Sequence, residues 1–227
     1  QLPQEVLITP MKEHQHYFPV WSEDDGLMAQ FITVRNGNKD HLDNVRAGNE
    51  KVLLARLADA EFFYQEDQKT PLKEQLEKLE KVVFQESLGT VAEKVARIKE
   101  LACYIAKEAS WDDKTIDLVA ETANLAKADL VTLMVNEFPE LQGIMGGYYA
   151  QLENYDELIA QGIREHYQPR FAGDAVPQSP TGIAVSIADK IDTIAGCFLI
   201  GLIPTGSQDP YALRRQAIGI INILVDG

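Results

Sequence analysis

The chain opens with short apolar runs broken by turn chemistry and, near residue 43, changes to apolar positions spaced three and four apart. In the opening stretch Glu5-Val6-Leu7-Ile8-Thr9 has the composition of a short strand, and Tyr17 to Trp21 and Leu27 to Arg35 are two further strand candidates. Between the latter two lies Ser22-Glu23-Asp24-Asp25-Gly26, whose Asp-Gly is a hairpin signal because such pairs accept the positive φ of a tight turn; Asn36-Gly37 closes the second strand. Three strands are marginal as an independent fold. Residues 1–42 are therefore expected to be the β-rich end of a larger module.

From Asp43 the period is helical. Val52, Leu53, Leu57, Ala60 and Phe63 follow the i, i+3/i+4 rule, and Thr70-Pro71 predicts an N-cap and a first-position proline for the next helix. Thr90 with Glu93 three residues later is a capping box, opening a helix that carries Val91, Val95, Ile98, Ala102 and Ile105. Ser110 to Asp113 is a similar start, leading into Ile116, Val119, Ala120, Ala123 and Leu130. After Pro139, Gly143, Gly146 and Gly147 permit close backbone approach, and a helix follows from about Tyr155 to Tyr167. Three prolines and Gly173 make a loop of the stretch from Gln168 to Pro180. Ile183, Ile187, Ile191, Ile194 and Phe198 then define a long helix, Pro204 to Pro210 a turn, and Tyr211 onward the last helix. The expectation is a mainly α fold, with an all-α domain over residues 43–227 behind the β-rich start.

Charge sharpens this. Lys and Arg number 21 against 35 Asp and Glu, a formal charge of −14, which read alone argues against a nucleic-acid partner. It is a whole-chain average, however, and acidic helices from Glu74 to Glu80 and Glu86 to Glu108 can face solvent while a few arginines line one groove. Cys103 and Cys197 lie far apart in apolar sequence, which gives no disulfide framework and fits a reducing, cytoplasmic setting. No run approaches the ~18 apolar residues of a membrane span, and no signal peptide opens the chain. The first residue is Gln1, and the last apolar segment (Ile218, Ile221, Leu224, Val225) reads as unfinished, so a longer parent protein is expected.

Standard catalytic signatures are missing: no Gly-x-x-x-x-Gly-Lys-Ser/Thr phosphate loop, no Gly-x-Gly-x-x-Gly, no Cys-x-x-Cys, no His-Glu-x-x-His, no Gly-x-Ser-x-Gly. No catalytic residue is assigned. His14-x-His16 would put two rings on one strand face, but a metal site needs a third ligand that the sequence does not offer, so no metal is assigned either. Asp189 and Asp192 share a helix face opposite Ile187, which reads either as a solvated face or as an acid/base or metal pair. Three basic constellations stand out: Arg164-Glu165-His166-Tyr167-Gln168-Pro169-Arg170-Phe171, where cations alternate with aromatics; Arg214-Arg215; and Lys12 with His14 and His16. Arg offers a planar fork for phosphate, and aromatic rings offer faces for unpaired bases. The competing reading is local, with Arg paired to Glu165, Asp174 or Asp209 and Tyr167 and Phe171 packed as core.

Several stretches carry a family resemblance. They include Leu2-Pro3 through Val20, with Thr9-Pro10-Met11-Lys12 and Tyr17-Phe18-Pro19-Val20, and Arg46-Ala47-Gly48-Asn49-Glu50-Lys51-Val52-Leu53. Phe138-Pro139-Glu140-Leu141-Gln142-Gly143-Ile144-Met145-Gly146 and Pro169-Arg170-Phe171-Ala172-Gly173-Asp174 follow. Ala188-Asp189-Lys190 then precedes Ile203-Pro204-Thr205-Gly206-Ser207 and Ala212-Leu213-Arg214-Arg215. In order and over essentially the whole chain they resemble the β subunit of the heterotetrameric bacterial glycyl-tRNA synthetase.

The resemblance implies the end of a B3/B4-like module (1–42) followed by a helical domain related to HD phosphohydrolases (43–227). The His slots of an HD site fall near Phe84-Gln85 and at Ala128 of Ala128-Asp129, with the last Asp at Asp189 or Asp192. Both His slots hold non-ligands, so the domain is expected to keep the shape without the metal, with Asp129 and Asp189 in internal hydrogen bonds. The α subunit of such an enzyme makes glycyl-adenylate from ATP (with Mg) and glycine, while β handles tRNAGly, in a tetramer of two α and two β subunits. The role implied is to position the acceptor arm, with Arg164, Arg170, Arg214 and Arg215 as contacts and Lys12, His14, Gln15 and Arg35 as a second surface, no cofactor being held by this part. A working HD-type phosphohydrolase and a purely architectural spacer are the alternatives.

Overall fold

A computed structural model describes residues 2–206 and 208–226. In chain order its helices are α1 (Gln4–Thr9), α2 (Leu42–Asp67), α3 (Leu72–Gln75), α4 (Val91–Glu108), α5 (Asp113–Leu125), α6 (Leu133–Glu137), α7 (Ile144–Leu152), α8 (Glu157–Glu165), α9 (Pro180–Leu199) and α10 (Leu213–Asp226). Strands β1 (Phe18–Trp21) and β2 (Leu27–Ile32) form one antiparallel pair, and β3 (Val83–Gln85) and β4 (Gly89–Thr90) another. The fold is mainly α. It divides into two compact units, Gln1–Lys69 with Leu133–Leu141, and Thr70–Thr132 with Gln142–Gly227.

In the first unit the β1–β2 hairpin forms where the Asp-Gly signal lies: Asp25 takes φ 56° and Ser22 N–H donates to the Gly26 carbonyl at 2.9 Å. Tyr17 stacks on Phe31 at 4.7 Å, and with Met11 and Leu53 makes a small core. The segment Glu5–Thr9, expected as a strand, is instead α1. Val6, Thr9 and Pro10 are the positions that bury, a three-and-four spacing that puts them on one helical face, and packing overrides the β propensity of a five-residue window. A π-helical turn, Pro10–His14, continues it. His14 and His16 consequently share no strand face: His14 ends that turn, while His16 is exposed at φ 55°. At the far end of α2, buried Asp67 accepts N–H bonds from Leu133 (2.8 Å) and Met134 (2.9 Å), holding the first turn of α6, and Arg56 pairs with Glu137 at 2.9 Å.

The second unit is built around α9, against which α4, α5, α8 and α10 all pack. Ile98, Ala102 and Ala106 of α4, Val119 and Ala123 of α5, and Ala184, Val185 and Ala188 of α9 form its core. The alanines let the three backbones approach closely, and each fully buried Val or Ile contributes about 1.5–3 kcal/mol. The capping box opens α4 as expected: Glu93 N–H donates to Thr90 Oγ1 and Thr90 N–H to Glu93 Oε2. Asp112 caps α5, Asp156 caps α8, and Ser179 with Pro180 behind it caps α9. The Thr70-Pro71 expectation is corrected. Pro71 itself takes the N-cap position of α3 without a side-chain cap, and the Leu72 N–H is satisfied by Glu153 Oε1 at 2.8 Å, a carboxylate 81 residues away.

Candidate nucleic-acid interface and the ionic hub behind it

The centre of the second unit is ionic. Asp189 of α9 accepts Lys94 of α4 on Oδ1 at 2.8 Å and Lys127, just beyond α5, on Oδ2 at 2.6 Å. Lys94 completes its three donors on Asp192 Oδ2 (3.0 Å) and Thr193 Oγ1 (2.7 Å), and Arg97 grips Asp192 through both oxygens (2.6 and 3.2 Å). Lys127 also reaches His166 Nε2 at 3.0 Å and lies 3.8 Å above the Tyr167 ring. His166 Nδ1 bonds the Ile163 carbonyl at 2.6 Å, an arrangement that leaves Nε2 bare to accept.

The electrostatics follow from this geometry. Burial alone would raise the Asp189 carboxyl, but Lys127 and Lys94 hold it well below the usual carboxylate range. Burial first, and then the Lys127 charge, push His166 well below its ordinary value, so it is neutral. Asp189 and Asp192 therefore form no solvated face: their side chains are buried, and their oxygens are taken up by ammonium and guanidinium groups. Among the described residues no three His, Cys, Asp or Glu side chains converge as a metal site would require. Asp129 makes the internal bonds expected of it, accepting Gly143 N–H (2.6 Å) and Gly146 N–H (2.9 Å) on Oδ2. Its Oδ1 meets no partner among the described residues, and burial pushes the carboxyl up to about 6 against the pull of those amides.

Sequence reasoning missed the three buried lysines. Lys94 stands three residues after Val91 and four before Ile98, and Lys190 three after Ile187, so two of them lie on apolar stripes; that spacing was the available signal. Lys127, between Ala126 and Ala128, gave none. Lys190 donates to the Gln168 carbonyl (2.8 Å) and Ser186 Oγ (2.6 Å), and burial draws it down to about 8.

The arginines lie on the outside of this hub. Arg164 of α8 lies against α7, its guanidinium 3.8 Å from the Tyr148 ring and bonded to Gln151 (3.3 Å); Gly147 leaves the room, since a Cβ there would collide with the Arg164 stem. Arg170 reaches the Gln142 carbonyl at 3.2 Å, just ahead of α7, and stands 5.8 Å over Tyr167. Gly143, at φ 78°, admits that tyrosine, which a Cβ would strike. Arg215 of α10 donates to the Arg170 carbonyl at 3.3 Å, so two arginines 45 residues apart meet at one loop. Arg214 turns instead to the Gly206 carbonyl (2.9 Å), while Asp209 accepts its backbone N–H. Of the two aromatics in the segment, Tyr167 is packed and Phe171 is 60% exposed.

In the first unit Lys12 is exposed on the π-helical turn, His14 is half-buried with its ring 5.2 Å edge-on to Phe138, and Gln15 closes the turn through its N–H to the Pro10 carbonyl. Arg35 is exposed and bonds the Asp40 carbonyl at 3.3 Å.

A helical chain whose buried charges are all internally neutralised, and whose outward arginines gather at one loop, has the features of a binding subunit of a larger enzyme. Comparison with known proteins supplies the class, the aminoacyl-tRNA synthetases. The family profile described as glycyl-tRNA synthetase beta subunit matches residues 1–227, and the chain belongs to that family. It is 59% identical over 226 residues to the glycine--tRNA ligase beta subunit of Moorella thermoacetica, covering 100% of this chain and 33% of the relative. It is 60% identical to that of Desulfitobacterium hafniense strain Y51 (99% and 33%) and 54% to that of Bacillus subtilis (99% and 33%). The chain thus spans about a third of the length of the curated relatives it matches. No helix among the described residues is long and apolar enough to cross a membrane.

Proposed function

We propose that this chain is a tRNA-handling part of a glycine–tRNA ligase β subunit, which holds the acceptor arm of tRNAGly so that its terminal hydroxyl meets glycyl-adenylate on an α subunit. The chemistry there is acyl transfer after activation by ATP and Mg. The β contribution is positioning, which raises the effective concentration of the reacting groups without a catalytic side chain of its own. Arg164, Arg170, Arg214 and Arg215 take phosphates or the acceptor end, and Lys12, His14, Gln15 and Arg35 form a second basic surface. The helical domain is an HD-like fold in which the ammonium groups of Lys94 and Lys127 neutralise the Asp that would otherwise bind metal. The assembly is a tetramer of two α and two β subunits in the cytoplasm.

The observation that carries this reading is the meeting of Arg170 and Arg215 in a chain of net charge −14. Each spends one guanidinium nitrogen on a backbone carbonyl, which fixes the planar fork and leaves further donors for phosphate. The test is tRNAGly binding by the full-length β subunit assembled with α, titrated across salt, against Arg170→Gln/Arg215→Gln. Loss of two phosphate contacts makes the log–log slope shallower by about 1.5 to 2. Unchanged affinity and slope would sink the reading and leave an architectural spacer.

A further inference from the structure

We propose that Phe171 is a stacking platform for an unpaired nucleobase of the RNA 3′ terminus, with Arg170 and Arg215 holding the adjoining phosphates. The inference rests on the tRNA-positioning reading above and names the part of the RNA that the site takes. Three observations carry it.

The first is that the two aromatics of the Arg164–Phe171 segment have opposite fates. Tyr167 is enclosed between Lys127 and Arg170, whereas Phe171, four residues on, keeps 60% of its surface in water. The second is that Phe171 sits on a braced turn. Asp174 accepts the Arg170 N–H at 2.6 Å and the Ala175 N–H at 3.0 Å, and the Asp174 N–H returns to the Phe171 carbonyl at 3.2 Å. An exposed ring on a fixed turn loses little entropy on stacking. The third is the surrounding charge. The Arg215 guanidinium bonds the carbonyl of the peptide that joins Arg170 to Phe171, so a cation stands directly beside the ring's own backbone. An aromatic face with guanidinium forks at its base matches a single strand, whose bases stack while its phosphates seek cations. It does not match a duplex, whose bases are hidden. Nor does it match an apolar protein surface, which would leave the arginines unpaired.

The experiment uses the assembled enzyme with full-length β and two RNAs, intact tRNAGly and the same tRNA lacking its single-stranded 3′ terminus. Phe171→Ala is expected to weaken the intact tRNA by roughly tenfold, as loss of one stacked base does, to leave the truncated tRNA and the salt slope unchanged, and to be rescued by Phe171→Trp. Thermal unfolding of each variant checks the fold. Equal effects on both RNAs, no effect on either, or a Phe171→Ala defect in α–β assembly in place of RNA binding would overturn the platform, the last by making Phe171 a protein contact. If the double arginine variant flattens the salt slope while Phe171→Ala fails to discriminate the RNAs, only this inference falls. If neither changes anything, the tRNA-positioning reading falls with it.

Discussion

Lys94 and Lys127 share a single carboxylate, one on each oxygen of Asp189, and so tie α4 and the end of α5 to α9 from two directions. A buried pair broken from one side leaves its partner charged and unsatisfied, which costs about 3–5 kcal/mol. Asp189→Asn strands two ammonium groups beside each other, whereas Lys127→Met leaves Asp189 still paired with Lys94. Urea unfolding is therefore expected to rank Asp189→Asn as the more damaging. Adding Lys127→Met to Asp189→Asn should recover part of the loss, and strict additivity would refute the shared-carboxylate picture.

Asp129 has the opposite character, a buried carboxyl raised to about 6. Its folded form binds the proton more tightly than its unfolded form, so between about pH 4 and pH 6 this group makes the protein less stable as pH rises. Asp129→Asn presents an amide oxygen to Gly143 and Gly146 and an NH2 group near the unpartnered oxygen. The variant is expected to lose that slope and to equal or exceed the parent at pH 7, by on the order of 2–3 kcal/mol at most. A parent-minus-variant stability difference that is flat across pH 4–6 would contradict this.

His166 works in the reverse sense. It is neutral when folded and gains a proton in the unfolded chain below about pH 6.5, so stability falls as pH falls through that value. His166→Gln, which never takes a proton, should lessen the acid sensitivity below pH 6.5. The two effects overlap in pH, which is why each is read from a variant difference.

Glu165 ties the arginine-bearing loop to the start of α9, accepting Ser179 N–H (2.9 Å), Ser179 Oγ (2.6 Å) and Gln178 N–H (3.2 Å). A carboxylate there also complements the α9 N-terminus. Glu165→Ala is expected to cost on the order of 2 kcal/mol and to raise amide exchange at Gln178 to Gly182 ahead of the rest of α9. Uniform exchange along the helix would indicate a global effect instead.

The helical half of the fold was legible because its signals are local and redundant. The Thr90–Glu93 box, the Asp112 and Ser179 caps and the i, i+3/i+4 apolar rows all point to the same elements. Where one short window had to decide, tertiary contacts won. Val6 buries on a helical face despite its β-prone neighbours, and a distant Glu153 replaces the cap that Thr70 was expected to provide. The outward arginines were visible as exceptions in an acidic chain. The lysine–aspartate hub was not, since nothing in a linear sequence shows that Lys94, Lys127 and Asp189 converge on one point.

Asp189 and Lys190 are neighbours on α9 and face different tasks, the first gripping the hub and the second the Gln168 carbonyl that leads into the arginine loop. Consecutive helix residues point about 100° apart, so a twist of α9 by one position would break both grips together. The helix is in effect keyed, its rotation set by two unlike charges on a single turn. Any substitution that slackens the hub therefore reaches the RNA-facing loop as a rotation rather than as a lost contact.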